Sequence, residues 1–221
     1  SNGTVMLTNS TVSGNSSGRN GGGIYAYSRP VILSGSTVSA NRSNGDGGGV
    51  YSARGATEIS NSTISGNTST GSNADGGGIA TISGNVTLTS STVTNNSSGG
   101  NGGGVYSQNS GASPLLTVQN SIIAGNIATG AANDLLPDPT STLDIDFSLI
   151  GDTTGSGVTA ATGNGNVLNV APLLGPLADN GGSSLPDGAV IQTHALLGGS
   201  PAFNTGDPSF VSPPNFDQRG T

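Results

Sequence analysis

Apolar and polar positions alternate along this chain in tracts of three to five residues, and the tracts come back at fixed intervals. Val5-Met6-Leu7 is answered by Val31-Ile32-Leu33, Thr57-Glu58-Ile59, Val86-Thr87-Leu88 and Leu116-Thr117-Val118. A second tract, Ser10-Thr11-Val12-Ser13-Gly14-Asn15, returns at Ser36, Ser62, Ser91 and Ser121, each time ending on an asparagine: Asn41, Asn67, Asn96 and Asn126. A third, Gly21-Gly22-Gly23-Ile24-Tyr25, returns at Gly47, Gly76 and Gly102. Val12 to Val38 and Val38 to Ile64 are both 26 residues, Ile64 to Val93 is 29, and Val93 to Ile123 is 30. The stretch from Asn67 to Gly76 is three residues longer than its counterparts, which places an insertion at one corner.

A period of two within each tract is the mark of a half-buried strand, and no segment carries a helical period. One such coil cannot bury its apolar side alone, whereas coils stacked about 4.8 Å apart share a continuous core. The pattern therefore predicts an all-β, right-handed parallel β-helix with three strands per coil and about five to six regular coils. Val12, Val38, Ile64, Val93 and Ile123 should form one buried column. Asn15, Asn41, Asn67, Asn96 and Asn126 should form a ladder of amides, and the glycine triplets tight corners. Regular coils are expected over 1–150. Residues 151–221 are expected to be irregular coils continuous with the same solenoid, with the Pro-rich segment from Pro172 to Pro214 covering the last rung. At the other end, the rung at Val5-Met6-Leu7 is expected either to continue into preceding coils or to dock another copy end to end.

Composition narrows the function. The chain has 221 residues with 39 glycines, no Cys, no Trp and no Lys, and a net charge of −7. Such a surface repels phosphate, so neither nucleic acid nor an anionic membrane is an expected partner, and no stretch reads as a membrane span. Disulfides and thiolate metal sites are excluded by the missing cysteine.

The Asn-Ser-Thr-Val-Ser-Gly-Asn and Gly-Gly-Gly-Ile-Tyr motifs resemble the β-helix repeats of bacterial polymorphic outer-membrane and autotransporter-like surface proteins. The segment Pro172-Leu173-Leu174-Gly175-Pro176-Leu177-Ala178-Asp179-Asn180-Gly181-Gly182, with His194-Ala195-Leu196-Leu197 and Asp217-Gln218-Arg219-Gly220, is similar to the C-terminal region of choice-of-anchor surface proteins, which have a pectate-lyase-like body. The resemblance implies a secreted bacterial chain, extracellular or on the cell surface, with itself, other surface proteins or glycans as partners.

Four sets of residues are candidates for chemistry. Thr11 and Ser13, Thr37 and Ser39, Thr63 and Ser65, and Thr92 and Thr94 are outward hydroxyl pairs on successive rungs. A flat, bare array of this kind is the geometry of ice-binding solenoids. Tyr25, Tyr51 and Tyr106 form an outward column that either packs as a ladder or offers ring faces to a sugar or a protein. Asp46 and Asp75, in a column with Asn20 and Asn101, either cap turns or share a calcium ion, the one cofactor the sequence suggests. Asp134, Asp138, Asp144 and Asp146 form a second acidic cluster. The single histidine, His194, has no partner of metal-binding type and is read as structural. A polysaccharide lyase or hydrolase would need a basic residue or paired carboxylates on the helix body, and Glu58 is the sole glutamate. The leading expectation is a non-catalytic structural or adhesive solenoid, with ice binding and polysaccharide cleavage as alternatives.

Overall fold

The computed structural model of the chain describes residues 3–109, 114–186 and 188–209. Its body is a right-handed parallel β-helix in which each coil contributes to four parallel sheets, not three. The first sheet stacks six strands, from Val5–Thr8 to Thr142–Asp146, and the second stacks seven, from Thr11–Ser13 to Val167–Leu168. The fourth holds the strands that follow the glycine triplets, from Ile24–Tyr27 to Leu135–Leu136. The extra, third sheet is made of two-residue strands from Ser16–Ser17 to Ile127–Ala128. Two residues are too few to show a period-2 signal, and all but Ile127–Ala128 are polar (Ser-Ser, Arg-Ser, Thr-Ser), so the sequence pattern does not reveal this sheet.

Register is in phase throughout. Val12 pairs with Val38, Val38 with Ile64, Ile64 with Val93, Val93 with Ile123 and Ile123 with Ile150. From Val38 onward every member of that column is fully buried, while Val12, in the first coil, is half-buried. Leu33, Ile59, Leu88, Val118 and Ile145 make the matching column of the first sheet. Burying one such side chain contributes about 1.5–3 kcal/mol, so the narrow interior depends on repetition.

Two hydrogen-bonded ladders supplement this core. In the expected one, each asparagine Oδ1 accepts both the backbone N–H and the Nδ2 of the preceding asparagine, as Asn67 does from Asn41 at 3.0 Å in each case. From Asn41 onward each Nδ2 also reaches a carbonyl one coil back, Asn67 donating to Val38 O at 3.0 Å. The second ladder runs through Ser10, Ser36, Ser62, Ser91, Ser121 and Ser148. Each backbone N–H donates to the next serine Oγ, which donates in turn to the carbonyl two residues before it, as in Ser36 N to Ser62 Oγ at 3.0 Å and Ser62 Oγ to Ser60 O at 2.7 Å.

The glycine triplets serve two purposes. Their first members, Gly21, Gly47, Gly76 and Gly102, hold φ between +59° and +68°, a region that costs other residues energy. At the second position there is no room: a Cβ on Gly77 would meet the backbone of Ser97 and Gly103. In the third coil the inserted residues loop out at Thr70–Ala74, closed by Ala74 N to Gly71 O at 3.0 Å.

Beyond Ile150 the chain departs from the expected plan. Residues 151–166 turn across the end of the stack, and Val158 packs into the core there. Asn166 continues the serine ladder by accepting Ser148 N at 3.0 Å. The segment from Pro172 onward, expected over the last rung, instead runs back along the side of the solenoid. Its antiparallel hairpin, Leu174–Ala178 with Thr193–Leu196, lies on the second sheet. Pro214 and the Asp217-Gln218-Arg219-Gly220 motif lie outside the described residues.

Candidate functional site

The hydroxyl face is where most candidate residues converge. The second sheet does present Thr37, Ser39, Thr63, Ser65, Thr92 and Thr94 outward, away from the core column at Val38, Ile64 and Val93. It is not bare. Thr37, Ser39, Thr63, Ser65 and Thr94 are all less than a tenth exposed, because the C-terminal hairpin covers them, whereas Thr11 and Ser13 on the first rung stay exposed. Thr37 Oγ1 donates to Gln192 O at 2.8 Å, and Thr94 Oγ1 to Ala124 O at 2.6 Å. Further along, Asp207 N donates to Asn120 Oδ1 at 2.7 Å. The flat, open grid expected from the sequence is therefore the seat of the chain's own C-terminal segment. Nothing local announces this, since the contacting residues are 155 and 87 positions apart.

His194 sits at the centre of that seat. Its Nδ1 lies 2.7 Å from Gly175 O and its Nε2 2.9 Å from Ser65 Oγ. A carbonyl only accepts, so Nδ1 carries the proton and Nε2 accepts from the serine hydroxyl. Burial pushes the histidine below its ordinary value, and the bond to Gly175 O opposes that shift only in part. The docked hairpin therefore prefers neutral imidazole. Its docking should be complete above the ordinary histidine value and weaken as pH falls below it, towards the depressed folded value. The protection factors of residues 193–196 against amide exchange, which allow for the base-catalysed rise of intrinsic exchange with pH, should be lower at pH about 5 than at about 7.5, and His194→Gln should remove that difference. Equal protection at both values would contradict this reading of the contact.

The Asx column is a third ladder. Asn20 Oδ1 accepts Asp46 N at 3.1 Å, Asp46 Oδ1 accepts Asp75 N at 2.9 Å, and Asp75 Oδ1 accepts both the backbone N–H and the Nδ2 of Asn101 at 2.6 and 2.9 Å. Asp46 and Asp75 are thus brought to neighbouring rungs as expected, but each already spends an oxygen on the next coil's backbone. Burial raises Asp46; the hydrogen bond from Asp75 N opposes the rise, and the neighbouring Asp75 charge adds a smaller push upward. Among the described residues no group of three or more His, Cys, Asp or Glu is placed to hold a metal ion. The second acidic cluster disperses. Asp134 is buried beneath the asparagine ladder, Asp138 caps a turn through Thr140, and Asp146 accepts Asn164 N.

Tyr25 and Tyr51 stack with centroids 5.3 Å apart and planes within 9°. The gap in the column at Ala80 separates them from Tyr106. Tyr27 is half exposed beneath the Arg54 guanidinium, 5.4 Å from its ring centroid. Burial, with the Asp75 carboxylate beside it, pushes the Tyr106 hydroxyl up to about 12. The stacked pair packs as a ladder, and Tyr25, on its first rung, remains 56% exposed.

No helix among the described residues is long and apolar enough to cross a membrane. No family model, curated protein or solved structure matches the chain.

Proposed function

We propose that the protein is a non-catalytic β-solenoid of the extracellular space or bacterial cell surface, acting as a structural or adhesive module. One observation carries this reading: four sheets and the asparagine and serine ladders run in phase along the body. Polar side chains throughout the repeat are committed to holding neighbouring coils together, which is the economy of a stiff spacer. The resemblance of its repeats to bacterial surface solenoids supports the location. The first coil, where Val5, Leu7 and Val12 remain half-buried, is a strand edge on which another coil or copy can stack, giving end-to-end association.

An antibody to the folded chain should label intact cells of the producing organism, and the chain should leave pectin, alginate and neutral glycans unchanged. Labelling only after permeabilisation would overturn the location. Turnover that disappears on changing Asp46 or Asp75 to Asn would overturn the non-catalytic reading.

A further inference from the structure

The hairpin does not seal against the hydroxyl face along its whole length. Between them lies a cavity of about 410 Å³, within the size range of small-ligand sites. We propose that this cavity binds a neutral hexose unit of a glycan, an inference that rests on the adhesive reading above and names its ligand class.

The lining has two chemically distinct parts. Ser90, Thr92 and Asn120 line it from the solenoid side. Among the described residues the side-chain hydroxyls of Ser90 and Thr92 take no partner, unlike the ladder serines beside them. Asn120 accepts Asp207 N through Oδ1, which fixes its amide orientation and leaves Nδ2 as a donor. The apolar part is Ile122 with Leu174, Leu196 and Phe203, the last of which is 49% exposed at the cavity. His194 also lines the cavity, but both ring nitrogens are committed to Ser65 and Gly175.

A pyranose presents the same division, hydroxyl edges and an apolar C–H face that packs on an aromatic ring. Amide and hydroxyl groups match the edges, and Phe203 with the aliphatic residues matches the face. Among the described residues no Asp, Glu, Lys or Arg lines the cavity, so these offer a cation to no uronate and a carboxylate to no amino sugar. The chain's net charge of −7 disfavours anionic sugars further.

The experiment is a titration of the full chain with glucose, galactose, mannose and glucuronate, followed by amide chemical shifts. At least one neutral hexose should bind with a millimolar dissociation constant, shifting residues around Thr92, Asn120 and Phe203, while glucuronate binds at least about tenfold more weakly. Thr92→Val removes one hydroxyl at constant shape and should weaken binding about 3- to 10-fold, the range for one hydrogen bond. Phe203→Ala should weaken it by a similar factor. Tyr25→Ala should have no effect. The proposal is overturned if no neutral hexose shifts the spectrum at about 100 mM, if glucuronate binds equally well, or if the shifts map to Tyr25 and Tyr51. In that last case an adhesive role survives without the cavity. Hexose binding in the cavity by a chain that antibodies find only inside the cell would preserve the inference and sink the surface reading.

Discussion

Replacing Ile64 with aspartate should yield no folded protein. Ile64 is fully buried at the middle of the second sheet, in register with Val38 on one side and Val93 on the other. An unpaired carboxylate there has no cation to meet, and desolvating it costs several kcal/mol, besides the burial lost with the isoleucine. That total is comparable with the whole stability of an ordinary domain, about 5–15 kcal/mol. A solenoid is also vulnerable in the middle, because each coil is stabilised mainly by its neighbours and a defective rung separates the coils on either side. The expected readings are insoluble expression, or a soluble chain with neither a β-type circular dichroism spectrum nor a cooperative melt. Ile64→Val, which removes one methylene, should fold and lose about 0.5–1.5 kcal/mol. Val12→Asp should be much milder, because Val12 lies in the first coil and is only half-buried. A folded Ile64→Asp protein melting near the parent temperature would refute the inward placement of this column.

The contrast between Ile64 and Thr63 also marks where sequence reading stops. The inward set was legible because it obeys a local rule: alternation within a tract assigns Ile64 to the core and Thr63 to the outside, and the fixed repeat stacks each on its counterpart. The asparagine ladder was legible for the same reason. The serine ladder obeys the same spacing, but serine is common on any solvated strand, so its column did not stand out from the background. What covers Thr63 obeys no local rule. The hairpin meets Ser65 through His194, 129 residues away, and its own tract is Pro- and Gly-rich with no repeat. Proline content suggested a cap because proline blocks strand addition. The stack end is instead closed by 151–166, where Val158 supplies the one apolar side chain that reaches the core. Of the candidate site, the sequence identified the face and its hydroxyls; the cavity exists only because two distant segments meet there.

Replacing Asn67 with alanine should cost about 2–6 kcal/mol, more than a surface asparagine would. The side chain is completely buried and occupies the middle of its ladder. Its Oδ1 accepts Asn41 N and Asn41 Nδ2, each at 3.0 Å, and its Nδ2 donates to Asn96 Oδ1 at 2.9 Å and Val38 O at 3.0 Å. Truncation leaves the backbone N–H of Asn41 and the carbonyl of Val38 without those partners in a site water does not reach, and each such group costs about 1–3 kcal/mol. For a chain of this size the melting temperature should fall by about 4–24 °C. Asn15→Ala, at the exposed end of the ladder, should cost about 1 kcal/mol or less. Asn67→Asp separates bonding from mere volume. At neutral pH a carboxylate can still accept from Asn41, but it turns a second oxygen towards Asn96 Oδ1 and Val38 O, where a donor is required. Protonation restores that donor, so burial and the facing oxygens should raise this group's folded value, and the variant should gain stability relative to the parent as pH falls through it. The chain already uses a carboxylate where no such donor is needed. Asp134 ends the ladder with Oδ1 accepting Asn126 N at 2.9 Å and Asn126 Nδ2 at 2.8 Å, and with Oδ2 accepting Asp152 N at 2.7 Å. Among the described residues the Asp134 carboxylate only accepts, whereas Asn67 must both accept and donate. Melting curves of Asn67→Ala, Asn67→Asp and the parent between pH about 4 and 7.5 test the point. If Asn67→Asp tracks the parent at every pH, the amide is filling space and the ladder is not what holds these coils together.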